Sequence, residues 1–149
     1  MIRRAQHADI PEIIRLSETM HMESRYRALP YNGIKFAVLI RGLIDNDSGL
    51  VVVAEKDGGQ LIGAIAGMVT DHYFADAKIA YEFGLYVEPA QRGTLAGYRL
   101  AKAYIDWATE QGADQIDMGI TTGIAEERTG KMYERLGLKH VGIIFSGGK

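Results

Sequence analysis

A length of 149 residues suits a single domain (residues 1–149), and a mixture of 47% hydrophobic and 24% charged residues excludes a disordered or fibrous chain. A formal net charge of -2 gives no reason to expect nucleic acid or an anionic membrane as the main partner. The chain has no cysteine, which excludes disulfides, thiolate metal sites and cysteine nucleophiles.

The first third of the chain is predicted to form a short strand and two helices. Residues 2–5 suit a strand, and Asp9 followed by Pro11 is typical of a helix start; this helix runs to about Met20. Residues 22–33 are predicted to be a loop. The second helix has a buried stripe of Phe36, Ile40, Leu43 and Ile44. The chain start lacks the apolar core of a signal peptide, so we expect a cytoplasmic protein.

Three consecutive strands are predicted over residues 50–54, 61–69 and 79–87. The first is β-branched and continuous, as in a strand covered on both faces, and a turn at residues 57–59 leads into the second. The third alternates, with one face made of Tyr81, Phe83, Leu85 and Val87. Its other face is made of Ala80, Glu82, Gly84 and Tyr86.

The last third is predicted to contain a long helix from Gly93 to about Gln111, a strand over 115–120, a helix over 125–136 and a final strand over 141–145. Short turns imply antiparallel strands, and helical connections imply parallel ones. The expected fold is therefore α/β (α+β), a mixed, mostly antiparallel twisted sheet with helices on both faces. An uncovered edge at the final strand leads us to expect a homodimer.

The segment from Gln91 to Gly97 lies between a predicted strand and the long helix, where free N–H groups and the positive end of the helix dipole meet. Such a turn suits a pyrophosphate. Arg92 adds a positive charge, and the small residues Gly93, Ala96 and Gly97 let a ligand approach the backbone. On spacing alone, the same segment also fits a tight turn that simply requires a glycine.

Two motifs resemble those of the GNAT superfamily of acyl-CoA-dependent N-acetyltransferases. The pattern Val87-x-Pro89-x-x-Arg92-Gly93-x-x-x-Gly97 looks like its coenzyme A pyrophosphate motif, with Leu95 in place of the middle glycine. The segment 129–138, which contains Tyr133, is similar to the family's last helix. The resemblance implies acetyl-CoA as co-substrate and direct attack by a primary amine. It assigns the cofactor to Leu85, Val87, Arg92, Gly93, Thr94, Leu95, Ala96 and Gly97.

The catalytic candidates are Glu82 and Tyr133. Glu82 is the expected base because burial among aromatic neighbours raises a carboxyl pKa toward neutrality; a solvated or ion-paired glutamate is the alternative. The resemblance makes Tyr133 the acid toward the coenzyme A sulfur, and a core aromatic is the alternative.

Substrate recognition is expected from two polar loops, through Glu23 and Tyr26 in the first and His72 and Tyr73 in the second. Glu23 could attract a cationic amine, although loops are polar in any case. The histidines show no metal-ligand spacing with acidic partners, so no metal is expected.

Three other functions fit the sequence. A GNAT-fold module that binds acyl-CoA with weak or no catalysis, in a regulatory or binding role, is indicated by Leu95. A nucleotide-binding protein could use the same turn for ATP or NAD. A purely structural protein is the third.

Overall fold

The computed structural model describes residues 1–148, which form one five-stranded sheet with helices packed on both faces. The strands are β1 (Ile2–Arg4), β2 (Gly49–Glu55), β3 (Leu61–Asp71), β4 (Lys78–Val87) and β5 (Gln115–Asp117). The helices are α1 (Ile10–Glu23), α2 (Gly33–Asp45), α3 (Ala96–Glu110) and α4 (Glu126–Arg135). Short 3-10 turns cover His7–Asp9, Arg25–Ala28 and Pro89–Gln91.

The strands follow one another across the sheet in chain order, β1-β2-β3-β4-β5. The pairs from β1 to β4 are antiparallel, and β4 pairs with β5 in parallel. Short turns join the antiparallel strands β2, β3 and β4, whereas α3 provides the crossover that a parallel pair needs. The predicted mixed, mostly antiparallel sheet is confirmed.

The core has two layers, one on each face of the sheet. Val51 and Val53 of β2 belong to the layer under α1 and α2, while Val52 belongs to the layer under α3. Every side chain of β2 except that of Glu55 is buried. This burial on both faces agrees with the continuous apolar run of the strand, and it confirms helices on both faces.

A β-bulge interrupts the pairing of β3 with β4. Ala66 pairs with Gly84 and Gly67 pairs with Glu82, so Phe83 is an extra residue with no partner. The extra residue shifts the alternation of side chains along β4. Ala80 therefore lies in the α3 layer and Tyr86 in the α1 layer. The prediction that these two side chains share a face is wrong.

Three element boundaries differ from the prediction. Helix α1 continues to Glu23, so this residue is helical instead of part of the loop. Helix α3 begins at Ala96, because Arg92 is extended and Gly93 has a positive φ, so the helix cannot start before them. Strand β5 ends at Asp117, three residues early, because the chain then separates from β4.

The prediction of a final strand over 141–145 is wrong, since these residues form no strand. The segment makes no backbone hydrogen bond to another part of residues 1–148. Without a neighbouring strand, β-branched side chains alone do not hold an extended conformation. The large apolar side chains are exposed instead: Val141 is 88%, Ile143 75%, Ile144 67% and Phe145 86% accessible.

Candidate active site

A cleft opens between β4 and β5. The two strands pair only from Ile79 to Tyr81, and the remainder of β4 has no strand on that side. The Tyr104 hydroxyl of α3 donates to the Asp117 carbonyl at 3.0 Å and holds the end of β5 where the strands separate. The cleft therefore exposes backbone groups along the second half of β4.

The free edge of β4 includes Leu85 and Val87. The Glu88 N–H donates to the Ile62 carbonyl of β3 at 2.9 Å, and alternate residues of a strand face opposite neighbours. The N–H and C=O groups of Leu85 and Val87 thus point into the cleft. The Val87 carbonyl accepts a hydrogen bond from Arg92 Nε at 3.0 Å, so its N–H and both groups of Leu85 are left to a ligand.

Glu82 occupies the inner end of the cleft. Its Oε1 accepts the Gly119 N–H at 2.9 Å, whereas Oε2 is buried and has no partner among residues 1–148. Burial raises the pKa of Glu82 to about 7, although the Gly119 hydrogen bond acts in the opposite direction. A carboxyl with this pKa exchanges a proton readily at neutral pH.

Tyr133 of α4 contacts Gly119, the same glycine that donates to Glu82. Its hydroxyl donates to the Gly119 carbonyl across 3.4 Å, which is a weak hydrogen bond. Burial, followed by the charge of Glu82, raises the pKa of Tyr133 above its usual value. The tyrosine is therefore a protonated donor at neutral pH.

The segment after β5 connects these groups with the loop that follows α1. The Tyr26 hydroxyl donates to Thr121 Oγ1 at 2.7 Å, and the Arg25 N–H donates to the Thr122 carbonyl at 2.9 Å. Thr121 is two residues from Gly119, so Tyr26 is brought to the Glu82 side of the cleft.

The outer end of the cleft is the turn before α3, residues 91–97. Gly93 has φ +91°, a conformation that glycine adopts without strain. Thr94 Oγ1 donates to the Gln91 carbonyl at 2.7 Å and accepts the Ala96 N–H at 3.3 Å. Within residues 1–148, no acceptor is found for the N–H groups of Gly93, Leu95, Gly97 and Tyr98. These unpaired donors suit an anionic ligand.

Leu95 has a side chain that points away from the core and is 61% exposed. Its backbone N–H remains available in the turn.

Arg92 and Glu23 bind each other. Arg92 Nη1 and Nη2 donate to Glu23 Oε1 and Oε2 at 2.5 and 2.8 Å, and the Tyr86 hydroxyl donates to Glu23 Oε2 at 3.1 Å. The Arg92 hydrogen bonds lower the pKa of Glu23, and those of Glu23 raise the pKa of Arg92. The cluster links the end of α1 to β4 and the turn, and it neutralises the charge that Glu23 would offer to an amine.

His72 and Tyr73 are not brought to the cleft. They lie in the loop between β3 and β4, where their rings stack on each other and contact Phe74. Glu82 is four residues into β4 from the end nearest this loop, which is about 13 Å along a strand.

Three residues near the cleft were missed at the sequence level: Gly119, Thr121 and Arg128. Gly119 lies in a segment that was predicted to be strand, and Thr121 follows the end of that predicted strand. Arg128 Nη2 lies 3.1 Å from the position that a Cβ on Gly93 would occupy, although the two residues are far apart in sequence. No local signal could have identified Arg128, because this contact depends on how α4 packs against the turn.

No group of three histidine, aspartate or glutamate side chains in residues 1–148 is placed to share a metal ion. No helix in the same range combines the length and the apolar character that crossing a bilayer requires.

Comparison with known proteins gives a family. A model described as the acetyltransferase (GNAT) family matches residues 11–138. No curated protein matches the sequence.

Solved structures of the same fold cover nearly the whole chain. Glucosamine-6-phosphate N-acetyltransferase from Arabidopsis thaliana has a TM-score of 0.78 at 15% identity, over 99% of this chain and 97% of that chain. A transcriptional regulator from Bacillus halodurans has a TM-score of 0.77 at 19% identity, over 99% of both chains. AAC(6')-Iy in complex with a CoA-S-monomethyl-acetylneamine bisubstrate analog has a TM-score of 0.76 at 17% identity, over 100% and 97%. At these identities the likeness establishes the fold.

Proposed function

The chain belongs to the acetyltransferase (GNAT) family, and from this premise we propose that it is an N-acetyltransferase that moves an acetyl group from acetyl-CoA to a primary amine by direct attack. The observation that carries the proposal is Glu82, a carboxylate with one buried, unpartnered oxygen and a pKa of about 7. A simple packing role would leave that oxygen paired or exposed. Its position beside an open strand edge supports a catalytic role.

Acetyl-CoA supplies the activated thioester, and two parts of the cleft suit its binding. The unpaired N–H groups of Gly93, Leu95, Gly97 and Tyr98 suit the pyrophosphate. Arg92, Gly93, Thr94, Leu95, Ala96 and Gly97 make up the proposed turn site. Leu85 and Val87 offer backbone groups to the pantetheine arm, as an added strand would use them.

The transfer requires two proton movements. The amine nitrogen bonds to the thioester carbonyl carbon, and the proton it loses passes to the Glu82 carboxylate, directly or through water. The C–S bond then breaks, and the leaving thiolate takes the hydroxyl proton of Tyr133. Glu82 and Tyr133 both contact Gly119, which supports their action at one acetyl group.

The acceptor amine is expected to enter beside Tyr26. This side chain is fixed to Thr121 and lies on the Glu82 side of the cleft. Glu23, His72 and Tyr73 remain proposed substrate residues, but Glu23 is paired with Arg92, and the other two are distant from Glu82 along β4. Tyr26 is therefore the best-supported member of the set.

The proposal is tested by release of free coenzyme A thiol from acetyl-CoA. The acceptors are a lysine peptide, a peptide with a free amino terminus, a polyamine, an amino sugar phosphate and an aminoglycoside. We expect turnover with at least one amine and its near loss in Glu82→Gln. Glu110→Gln, an exposed position at the end of α3, is the matched control.

Two results would contradict the proposal in different ways. Binding of acetyl-CoA without turnover on any amine would favour the non-catalytic acyl-CoA-binding module. Absence of acetyl-CoA binding, with binding of ATP or NAD, would favour a nucleotide-binding protein.

We further propose a homodimer in which the segment 141–145 is covered by a second copy. The support is the exposure of its large apolar side chains, of which Phe145 is 86% accessible. Light scattering should give twice the mass of the chain, and replacing Ile143 and Phe145 with aspartate should give the monomer. A monomeric wild type would contradict this proposal and leave the catalytic one intact.

A further inference from the structure

Arg128, in the first turn of α4, lies beside the turn of residues 91–97. Its Nη2 is 3.1 Å from the Cβ position of Gly93, and one helical turn later Met132 Sδ is 3.7 Å from the Cβ position of Gly97. Two successive contacts, four residues apart on both segments, place one face of α4 along the turn. A second basic residue therefore lies next to the turn, in addition to Arg92.

The guanidinium of Arg128 is unpaired within residues 1–148. The neighbouring carboxylate of Glu127 pairs with Lys131 at 3.2 Å, and Arg128 makes no ion pair or side-chain hydrogen bond in that range. Glu126, the other adjacent acid, is exposed and makes no such contact either.

Arg92 is in the opposite situation. Its Nε, Nη1 and Nη2 already donate to the Val87 carbonyl and to both oxygens of Glu23, and its guanidinium lies 5.3 Å from the centre of the Tyr86 ring. Three of the five guanidinium N–H groups of Arg92 are therefore engaged, and its charge is balanced by Glu23. The guanidinium N–H groups of Arg128 have no partner within residues 1–148.

We propose that Arg128 binds a phosphate group of coenzyme A, and that Arg92 is a positioning residue that ties the turn to α1. The inference rests on the proposed function, since it assumes that the turn holds the cofactor. A planar guanidinium beside unpaired N–H groups is well suited to phosphate oxygens. Because Arg128 is exposed, its attraction is screened by salt, so its contribution must depend on ionic strength.

The test is calorimetric titration of coenzyme A and of 3'-dephospho-coenzyme A into the full chain at low and high salt. The variants are Arg128→Ala, Arg128→Lys, Arg92→Ala and, as the matched control, Arg135→Ala, an exposed arginine in the last turn of the same helix. We expect Arg128→Ala to weaken coenzyme A binding about tenfold at low salt, less at high salt. Lysine should restore part of the loss, and Arg135→Ala should match wild type.

The second ligand identifies the phosphate. If the Arg128→Ala loss disappears with 3'-dephospho-coenzyme A, the partner is the 3'-phosphate; if it persists, the partner is the pyrophosphate. Both results support the proposal.

Arg92→Ala provides the contrast. A positioning role predicts a lower melting temperature and a loss of affinity that varies little with salt. If Arg92→Ala shows the salt-dependent loss and Arg128→Ala binds like wild type, the assignment is overturned while the proposed function stands. If wild type binds no coenzyme A, the proposed function fails and this inference fails with it.

Discussion

The two ends of the cleft are built in opposite ways. At the inner end, Glu82 and Tyr133 are side chains whose pKa values are raised by desolvation. At the outer end, the turn of residues 91–97 is open and offers backbone N–H groups. Chemistry at the inner end thus depends on which side chain is present, whereas binding at the outer end depends mainly on backbone shape. Substitutions should be severe at the first and mild at the second.

The largest effect is expected from Glu82→Gln. An amide cannot accept a proton, so kcat should fall by about 10² to 10³-fold while acetyl-CoA binding changes little. In wild type, kcat should rise with pH through the Glu82 pKa of about 7, because only the carboxylate is a base. The variant should lack this rise in steady-state pH profiles. An unchanged profile would assign the base to another group.

The same substitution should stabilise the protein at high pH. The folded pKa of about 7 lies above the ordinary glutamate pKa of 4.5, so the folded chain holds a proton that the unfolded chain releases, and stability falls as pH rises between these values. Above pH 7 we expect Glu82→Gln to be more stable than wild type by up to about 3 kcal/mol. At pH 4 the two proteins should unfold at similar urea concentrations. Equal stability at pH 8 would contradict a buried carboxylate.

Tyr133→Phe should have the next largest effect. Loss of the hydroxyl removes the proposed proton donor and leaves the packing intact, so kcat should fall by about 10-fold. The affinity for acetyl-CoA, measured by calorimetry, is the control. A substrate analogue with a better leaving thiol should reduce the loss, because such a thiol needs less protonation. A variant as active as wild type would return Tyr133 to a packing role.

A smaller effect is expected from the pair formed by Glu23 and Arg92. A double-mutant cycle with Glu23→Gln and Arg92→Ala, measured by urea unfolding at pH 7, should give a coupling free energy of about 1 kcal/mol, because the pair is partly exposed. The pKa of Glu23 is lowered, so this stabilisation is present above its unfolded pKa and is lost as pH falls through the folded value. Additive effects of the two substitutions would show that the pair contributes nothing.

The smallest effect is expected from Leu95→Gly, which restores the residue type usual at this place in the motif. The Leu95 side chain is 61% exposed, and the backbone N–H is present in both residues. We expect acetyl-CoA affinity to change by less than about twofold, equivalent to roughly 0.4 kcal/mol. A large gain in affinity would mean that the leucine obstructs the phosphates, contrary to the contrast between the two ends.

Most of the fold was predictable because local pattern and burial agree. Strand β2 shows this, since its apolar run is buried on both faces. The segment 141–145 has similar side chains, but no strand lies beside it in residues 1–148, so pairing decides where propensity does not. The assignment of side chains to the two faces of β4 was wrong for a related reason. An unpaired residue such as Phe83 cannot be recognised from a hydrophobic pattern.

The candidate site could be predicted only at residues that belong to a sequence motif or a local turn. Glu82, Tyr133 and the turn at residues 91–97 were named from the sequence. The partners that define their chemistry come from elsewhere in the chain, as Gly119 does for Glu82. The same holds for Arg92 and Glu23, which are separated by 69 residues and meet only because α1 ends beside β4.

The bulge at Phe83 adds one residue to β4 directly beside Glu82. Ala80, before the bulge, and Leu85, after it, both contact the α3 layer, although an odd number of steps separates them. Deleting Phe83 would leave four steps between Ala80 and Leu85, so regular alternation would keep both side chains in the α3 layer and Tyr86 in the α1 layer. The deletion would remove only the local bend and extra twist that a bulge gives a strand, and these lie next to Glu82. Losing this one residue should therefore affect the aim of the Glu82 carboxylate more than the packing of the core.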